Sequence, residues 1–254
     1  MYEFTQTDLN YRHVSSMPNP EDFKMHIHNR FEILYAVHGG GTFVAEGVEY
    51  PITDGTIFLT RPREVHRIYP DPTVNYDRIL IHFSKELIAC ADPNGILLEP
   101  FYKRDLGCRL SYRTFEFSGT DMRRLFHNMQ GNPDNAEEQR VKIISSLFFL
   151  LQNIRNAFYS KEHSQTLNSS GKINGILQYI NENLIEELTL DDIAANMYIS
   201  RSQLTRTFKK AVGSTINEYI TVKRLTLAQQ LIMGGSTVSS ACYRCGFKDY
   251  SSFF

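Results

Sequence analysis

The residues best suited to chemistry stand in His26-Ile-His28-Asn-Arg-Phe-Glu32, with His66 following a turn at Arg61-Pro62-Arg63-Glu64. In an extended chain alternate side chains share a face. His26, His28 and Glu32 have one parity, and Met25, Ile27, Phe31, Ile33 and Val37 take the other. Imidazoles and a carboxylate converging on one point are ligands for a divalent metal, so His26, His28, Glu32 and His66 are the metal candidates. The same groups would also line a small-molecule pocket or form a satisfied polar interior. Tyr76, Arg78 and His82 share a parity opposite Ile79, Ile81 and Phe83. Arg78 and His82 therefore join the first four as effector-binding candidates. Polar groups with aromatic neighbours suit a polyhydroxylated ligand such as a sugar or sugar derivative. A pH-responsive structural cluster would use the same residue types. Cys242-x-x-Cys245 has a metal-like spacing, but the nearest histidine is His163 and no second ligand pair stands close by. Both cysteines are expected to be small buried hydrophobes.

A second set of residues suits nucleic acid. In Leu188 to Gly213, Thr189 is an N-cap followed by Asp191 and Asp192, where the helix dipole favours anions. Ile193, Ala194 and Met197 make the inner side of a short helix. Tyr198-Ile199-Ser200 is a tight connection, and Ser200 caps a second helix running to Lys210. There Leu204 and Phe208, four apart, face inward, while Ser202, Thr205, Arg206 and Lys209 face out. That is a helix-turn-helix pattern. From Ser200 to Arg224 the bases are Arg201, Arg206, Lys209, Lys210, Lys223 and Arg224 against Glu218 alone, a net +5 that leaves −6 for the rest of the chain. Such asymmetry is what phosphate neutralisation asks of a nearly neutral protein. A fainter copy follows: a short helix over Val238 to Cys245, a turn at Gly246, and a helix beginning near Asp249. Between the copies, Ile216 to Ile232 reads as one helix with Tyr219, Ile220, Leu225, Ala228 and Leu231 inward.

The elements that must position these residues differ between the two halves of the 254-residue chain. Residues 1–118 hold short apolar segments (Phe31 to Val37, Thr42 to Val44, Gly47 to Ile52, Thr56 to Leu59, Tyr76 to Phe83) punctuated by Gly, Pro, Asn and Asp. Many strands without intervening helices predict a small antiparallel barrel or sandwich. Residues 119–160 are helical in period, with Asp121 to Met129 and Glu137 to Tyr159 as the two helices. Val141, Ile144, Leu147, Phe148, Leu151, Ile154 and Phe158 form an apolar stripe on the second. It packs either on the barrel or on the same helix of a second subunit. Residues 161–171 are polar and Ser/Asn-rich, a linker. Residues 172–254 are helical. The fold class is therefore α+β: a barrel, a helical dimerisation segment and an all-α domain with two helix-turn-helix units. A hydrophobic fraction of 42% excludes wholesale disorder, and a net charge of −1 excludes a basic arm or acidic tail. The longest apolar run, Leu147 to Leu151, is far short of a membrane span, and Met1-Tyr-Glu-Phe-Thr-Gln is no signal peptide. A cytoplasmic protein is expected.

Two resemblances sharpen this reading. Leu190-Asp-Asp-Ile-Ala-Ala, Ile199-Ser-Arg-Ser-Gln-Leu204, Arg206-Thr-Phe208, Gly213, Tyr219-Ile220, Arg224-Leu225, Ala228-Gln-Gln-Leu231 and Cys245-Gly-Phe-Lys-Asp-Tyr-Ser-Ser-Phe253 are similar to the DNA-binding domain of AraC-type transcription regulators. The resemblance implies base contacts from Ser202, Thr205 and Arg206, phosphate contacts from Arg201 and Lys209, and corresponding roles for Tyr250, Ser251 and Ser252 in the second unit. It implies double-stranded DNA, a small-molecule effector and RNA polymerase as partners, activation of transcription, and a homodimer. It also implies a longer second reading helix and one more helix beyond Phe254, so the second unit is expected to be incomplete in this sequence and a poor reader of DNA. His-x-His-x3-Glu, Gly39 and His66 resemble the cupin barrel, with Pro20, Arg61 and Arg63 where that family places Gly, Pro and Gly. AraC-type regulators often carry such a barrel as a non-catalytic effector pocket. No cofactor is then required, although a divalent metal in the barrel is possible. The alternative is a metal-dependent cupin enzyme with a helical appendage.

Overall fold

The computed structural model describes residues 1–117, 119–131, 135–161, 171–249 and 253. Nine strands among them form two antiparallel sheets: β1 (Tyr2–Thr5), β2 (Leu9–Ser16), β3 (Phe31–His38), β4 (Gly41–Ala45), β5 (Val48–Ile52), β6 (Thr56–Thr60), β7 (His66–Pro70), β8 (Tyr76–Phe83) and β9 (Ser111–Arg113). One sheet has the order β1-β2-β8-β3-β6-β9, the other β5-β4-β7. Every expected strand is present. β1, β2, β7 and β9 are additional; β2 (Leu-Asn-Tyr-Arg-His-Val-Ser-Ser) is half polar and carries little apolar signal.

Period two explains the layers. Leu34, Ala36, Phe58 and Tyr76 from the larger sheet meet Phe43, Ala45, Tyr50, Ile52 and Ile68 from the smaller one, and together they fill the barrel. Their neighbours Ile33, Tyr35, Ile57, Leu59, Ile79, Ile81 and Phe83 point out of the barrel. That outer face is covered by helices, so β3 is buried on both sides and reads as a nearly unbroken apolar run. Helices do interrupt the first half: α1 (Lys85–Ala89) and α2 (Glu99–Tyr102) precede α3 (Met122–Asn128) and α4 (Ala136–Lys161). Asp121 caps α3 by accepting the Arg124 N–H.

α4 lays Ile143, Leu147, Leu150, Leu151, Ile154, Ala157 and Phe158 on the outer sheet face. The inward stripe thus differs from the expected one at its start: Val141 is 67% exposed, and Ile143 and Leu150 take the buried positions. The expected linker falls almost wholly at 162–170, outside the described residues.

The C-terminal helices are α5 (Gly171–Glu182), α6 (Leu190–Asn196), α7 (Arg201–Val212), α8 (Ile216–Met233) and α9 (Val238–Arg244). Ile176, Leu177, Ile180, Ile193, Leu204, Phe208, Val212, Ile216 and Tyr219 form one core. Ala228, Ala241, Cys242, Cys245 and Phe247 form a second, which places both cysteines in apolar surroundings. α8 joins the two cores over about 27 Å at 1.5 Å per residue. Its inward face departs from expectation at Leu225, which is 39% exposed, whereas Lys223 is buried. No helix among the described residues is long and apolar enough to cross a membrane.

Candidate effector site and nucleic-acid interface

The polar cluster forms where strand ends from both sheets meet. Glu32 lies one residue into β3, opposite Thr60 at the end of β6 and His82 near the end of β8. Its parity matches that of Leu34 and Ala36, so its carboxylate points between the sheets. His66 opens β7 in the facing sheet. Residues 24–28 are not a strand, a departure from the extended run expected from the sequence. A single antiparallel bridge pairs His26 with His66, through N–H···O bonds of 3.0 and 3.1 Å. The apolar residues of opposite parity also part company: Phe31 and Ile33 join the helix-covered face of the sheet, while Met25 and Ile27 pack on the C-terminal domain.

His26, His28, Glu32 and His66 each offer a ligand atom, and these atoms lie within 4.8 Å of one another. His82 joins them, its Nε2–H donating to Glu32 Oε2 at 2.7 Å. Arg78 does not. It sits four residues away on β8, about 13 Å at ~3.3 Å per residue. Its guanidinium stacks 5.0 Å from the Phe23 ring centroid and 4.8 Å from that of Tyr76.

The hydrogen bonds fix the state of the imidazoles. Nδ1 of His26, His28 and His66 lies 2.9 Å from the carbonyl oxygens of Lys24, Arg30 and Glu64 respectively. A carbonyl only accepts, so each Nδ1 carries its hydrogen. In a neutral ring Nε2 is then a bare lone pair. Those of His28 and His66 face the Glu32 carboxylate at 3.3 and 3.6 Å. His66 Nε2 is buried without a hydrogen-bond partner among the described residues. Lone pairs and a carboxylate in such a small space repel one another unless a cation lies among them. A proton meets the need. Burial opposes charge on both Glu32 and His66, but their mutual attraction outweighs it; Glu32 is held well below the usual carboxylate range and His66 is raised. Burial meanwhile lowers His28. A divalent cation would meet the same need, because three Nε2 atoms and a carboxylate are a fitting donor set and the backbone carbonyls already orient the rings.

Sequence reasoning missed the groups that brace this end of the barrel. Arg104 donates to Glu64 through both terminal nitrogens, at 2.7 and 2.6 Å. Burial would raise the Glu64 carboxyl, but the Arg104 guanidinium overrides it and brings it down to about 2. Gly107 N–H adds a bond of 2.8 Å to the same carboxylate. Nothing in the spacing of Glu64 and Arg104, forty residues apart, marks them as partners.

In the second candidate site, Thr189 and Asp192 form a reciprocal capping box on α6, and Ser200 caps α7 by accepting the Gln203 N–H. Tyr198 makes the turn between them with φ +54°. Leu204 and Phe208 are buried, and Arg201, Ser202, Thr205, Arg206 and Lys209 are exposed on the opposite face, as the spacing predicts. The charge count changes, however. Lys223 is buried against Glu46, and Arg224 donates to the Leu184 and Glu186 carbonyls at 2.8 and 2.7 Å. Neither cation is placed to meet phosphate, so the exposed basic residues of this stretch reduce to those of α7. In the second unit Thr237 caps α9. Tyr250, Ser251 and Ser252 lie outside the described residues.

Known proteins divide along the same line. Residues 13–91 match the AraC-like ligand binding domain, and residues 193–254 match a helix-turn-helix domain. The chain is an AraC-type transcription regulator with a cupin-like barrel. Over 91% of its length the regulator is 24% identical to the HTH-type transcriptional activator RhaS of Escherichia coli O1:K1, of which it covers 82%. It is similar to ToxT from Vibrio cholerae over 97% of this chain and 92% of that one, with 16% identity and a TM-score of 0.41. A cupin protein from Bacteroides fragilis matches 32% of the regulator and 69% of its own chain, at 14% identity and a TM-score of 0.28.

Proposed function

We propose that this regulator senses a polyhydroxylated small molecule, a sugar or sugar derivative, at the cluster around Glu32. The observation that carries the reading is the convergence of His26, His28, His66 and His82 on one buried carboxylate at the end of a barrel filled elsewhere by apolar side chains. His26 is exposed and His28 and His82 are half-buried, so a ligand reaches them from outside. Glu32 accepts from hydroxyls, and the bare Nε2 atoms of His26 and His28, whose charged forms burial disfavours, do the same, which suits a molecule with several adjacent O–H donors.

On the DNA side, Ser202, Thr205 and Arg206 read base edges, and Arg201 and Lys209 bind phosphates. Tyr250, Ser251 and Ser252 do the corresponding work in the second unit. The regulator acts in the cytoplasm as a homodimer through the outer face of α4, where Val141 and Phe149 are exposed, and contacts RNA polymerase. A thermal-shift screen against monosaccharides and oligosaccharides tests the effector, since a ligand of the folded state raises the melting temperature. A ligand that also shifts His26→Ala, His28→Ala protein equally would overturn the site.

The repelling lone pairs favour a second reading, in which the cluster holds a divalent cation. His26, His28, Glu32 and His66 would be its ligands, and such an ion supplies Lewis acidity that binds paired hydroxyls of an effector. Calorimetric titration with Zn²⁺ separates the two readings.

A further inference from the structure

The segments that carry the three imidazoles have a second face. Met25 and Ile27 alternate with His26 and His28, and Val65 precedes His66. All three apolar side chains pack into the core of the DNA-binding domain, beside Ile173, Ile176, Leu177, Ile180 and Tyr219. His26, His28 and His66 are thus each one peptide away from a residue that grips the C-terminal helices.

A polar contact stands next to this seam. Glu46 and Gly47 make the two-residue turn between β4 and β5, with φ +46° and +77°. A left-handed turn of this kind favours Asn or Asp before glycine, so the conformation is costly for Glu46. What holds it is reciprocal: Glu46 N–H donates to the Val65 carbonyl at 2.9 Å, and Val65 N–H donates to Glu46 Oε1 at 2.9 Å. The carboxylate then receives Lys223 Nζ at 2.7 Å and the Tyr219 hydroxyl, both from α8. Lys223 also donates to the Arg63 carbonyl, and Asn181 Nδ2 donates to Tyr219 Oη at 3.0 Å. Glu46 and Lys223 are each only 1% exposed. A buried ion pair adds little net stability, but it is strongly directional and its loss leaves an uncompensated charge.

We infer that Glu46, Tyr219 and Lys223 latch the DNA-binding domain onto residues 63–66, so that occupancy of the His–Glu cluster and docking of that domain are thermodynamically linked. The inference rests on the cluster being the effector site. The path is short: a ligand drawing on His66 moves Val65, and Val65 holds both the Glu46 carboxylate and the apolar seam. A ligand can shift docking only through its different affinity for the docked and released states, and the linkage is reciprocal. Full release of the domain must therefore change affinity at the cluster by the factor through which occupancy changes docking, and a loosened latch moves affinity toward that limit.

The test uses the full chain, with Zn²⁺ as probe of the cluster. Lys223→Met with Glu46→Gln keeps the packing volume and removes the charge pair; Lys223→Met alone serves as the stricter variant. Titration calorimetry gives Zn²⁺ affinity, and hydrogen exchange gives protection of residues 216–226. His66→Ala supplies an arm that needs no ligand. We expect Zn²⁺ to alter protection of 216–226 in the native protein, the double variant to change Zn²⁺ affinity about five-fold or more, and His66→Ala to raise exchange in α8. Zn²⁺ that binds while α8 exchange stays fixed, with His66→Ala equally silent, overturns the latch and leaves the site. Zn²⁺ that does not bind, with His66→Ala still loosening α8, overturns the cation reading and supports the latch. Silence in every arm overturns both.

Discussion

The mouth of the barrel and the outer face of α7 handle charge in opposite ways. At the mouth, Glu32, Glu64 and Arg104 are withdrawn from water and each is held by several partners. On α7, Arg206 and Lys209 project into solvent. Burial makes a charge expensive to change and fixes its position; exposure leaves it free to exchange water for phosphate. The first arrangement suits recognition of one small molecule by geometry. The second suits attraction to a long polyanion, with specificity added by the few residues between the cations.

This contrast is sharpest for two arginines. Arg104→Met leaves the Glu64 carboxylate buried without its ion partner and should cost about 3–5 kcal/mol of stability, read as a lower urea midpoint. A loss below about 1 kcal/mol would mean that the backbone N–H groups of Gly107 and of Arg61, which donates to Glu64 Oε2 at 3.1 Å, suffice. Arg206→Ala should do the reverse. It costs about 1–3 kcal/mol of promoter binding if the guanidinium meets a base edge, while the melting temperature stays put. Uniform weakening across operator variants would reassign it to phosphate. Thr189→Ala removes the capping box of α6 and should lower stability by about 1 kcal/mol. The same change at an exposed cation should be silent in that assay. Lys209→Ala is the mildest: the slope of log affinity against log salt should fall by about 1, with no change in operator preference.

What could be read in advance follows the same division. The helix-turn-helix was legible because capping residues, a buried pair four apart and an exposed basic face are all local in sequence. Glu32 and His82 were legible because period two decides their face in β3 and β8, whereas His26 and His28 reach the cluster from a segment that is not a strand and is tied to His66 by a single bridge. Arg78 stands apart from the cluster because parity gives the face and not the distance along the strand. Lys223 was misread because a lysine in a basic stretch looks solvated; its partner Glu46 lies 177 residues away. Val141 was taken as inward because one helix admits neighbouring stripes, and the sheet beneath α4 selects between them. Long-range partners have no local signature, and the latch is made wholly of them.

One contact at the back of the DNA-binding domain carries a mechanical consequence. Gly246 follows α9 with φ +87°, and a Cβ there would lie 2.7 Å from the Ile185 carbonyl oxygen. Arg224 clasps the carbonyls on either side of that residue, at Leu184 and Glu186. Both contacts tie the second core, through α8 and Gly246, to residues 184–186 beside the first. An operator whose two recognition segments lie out of phase must supply the curvature itself, so sequences that kink readily between those segments should be bound in preference to stiff ones.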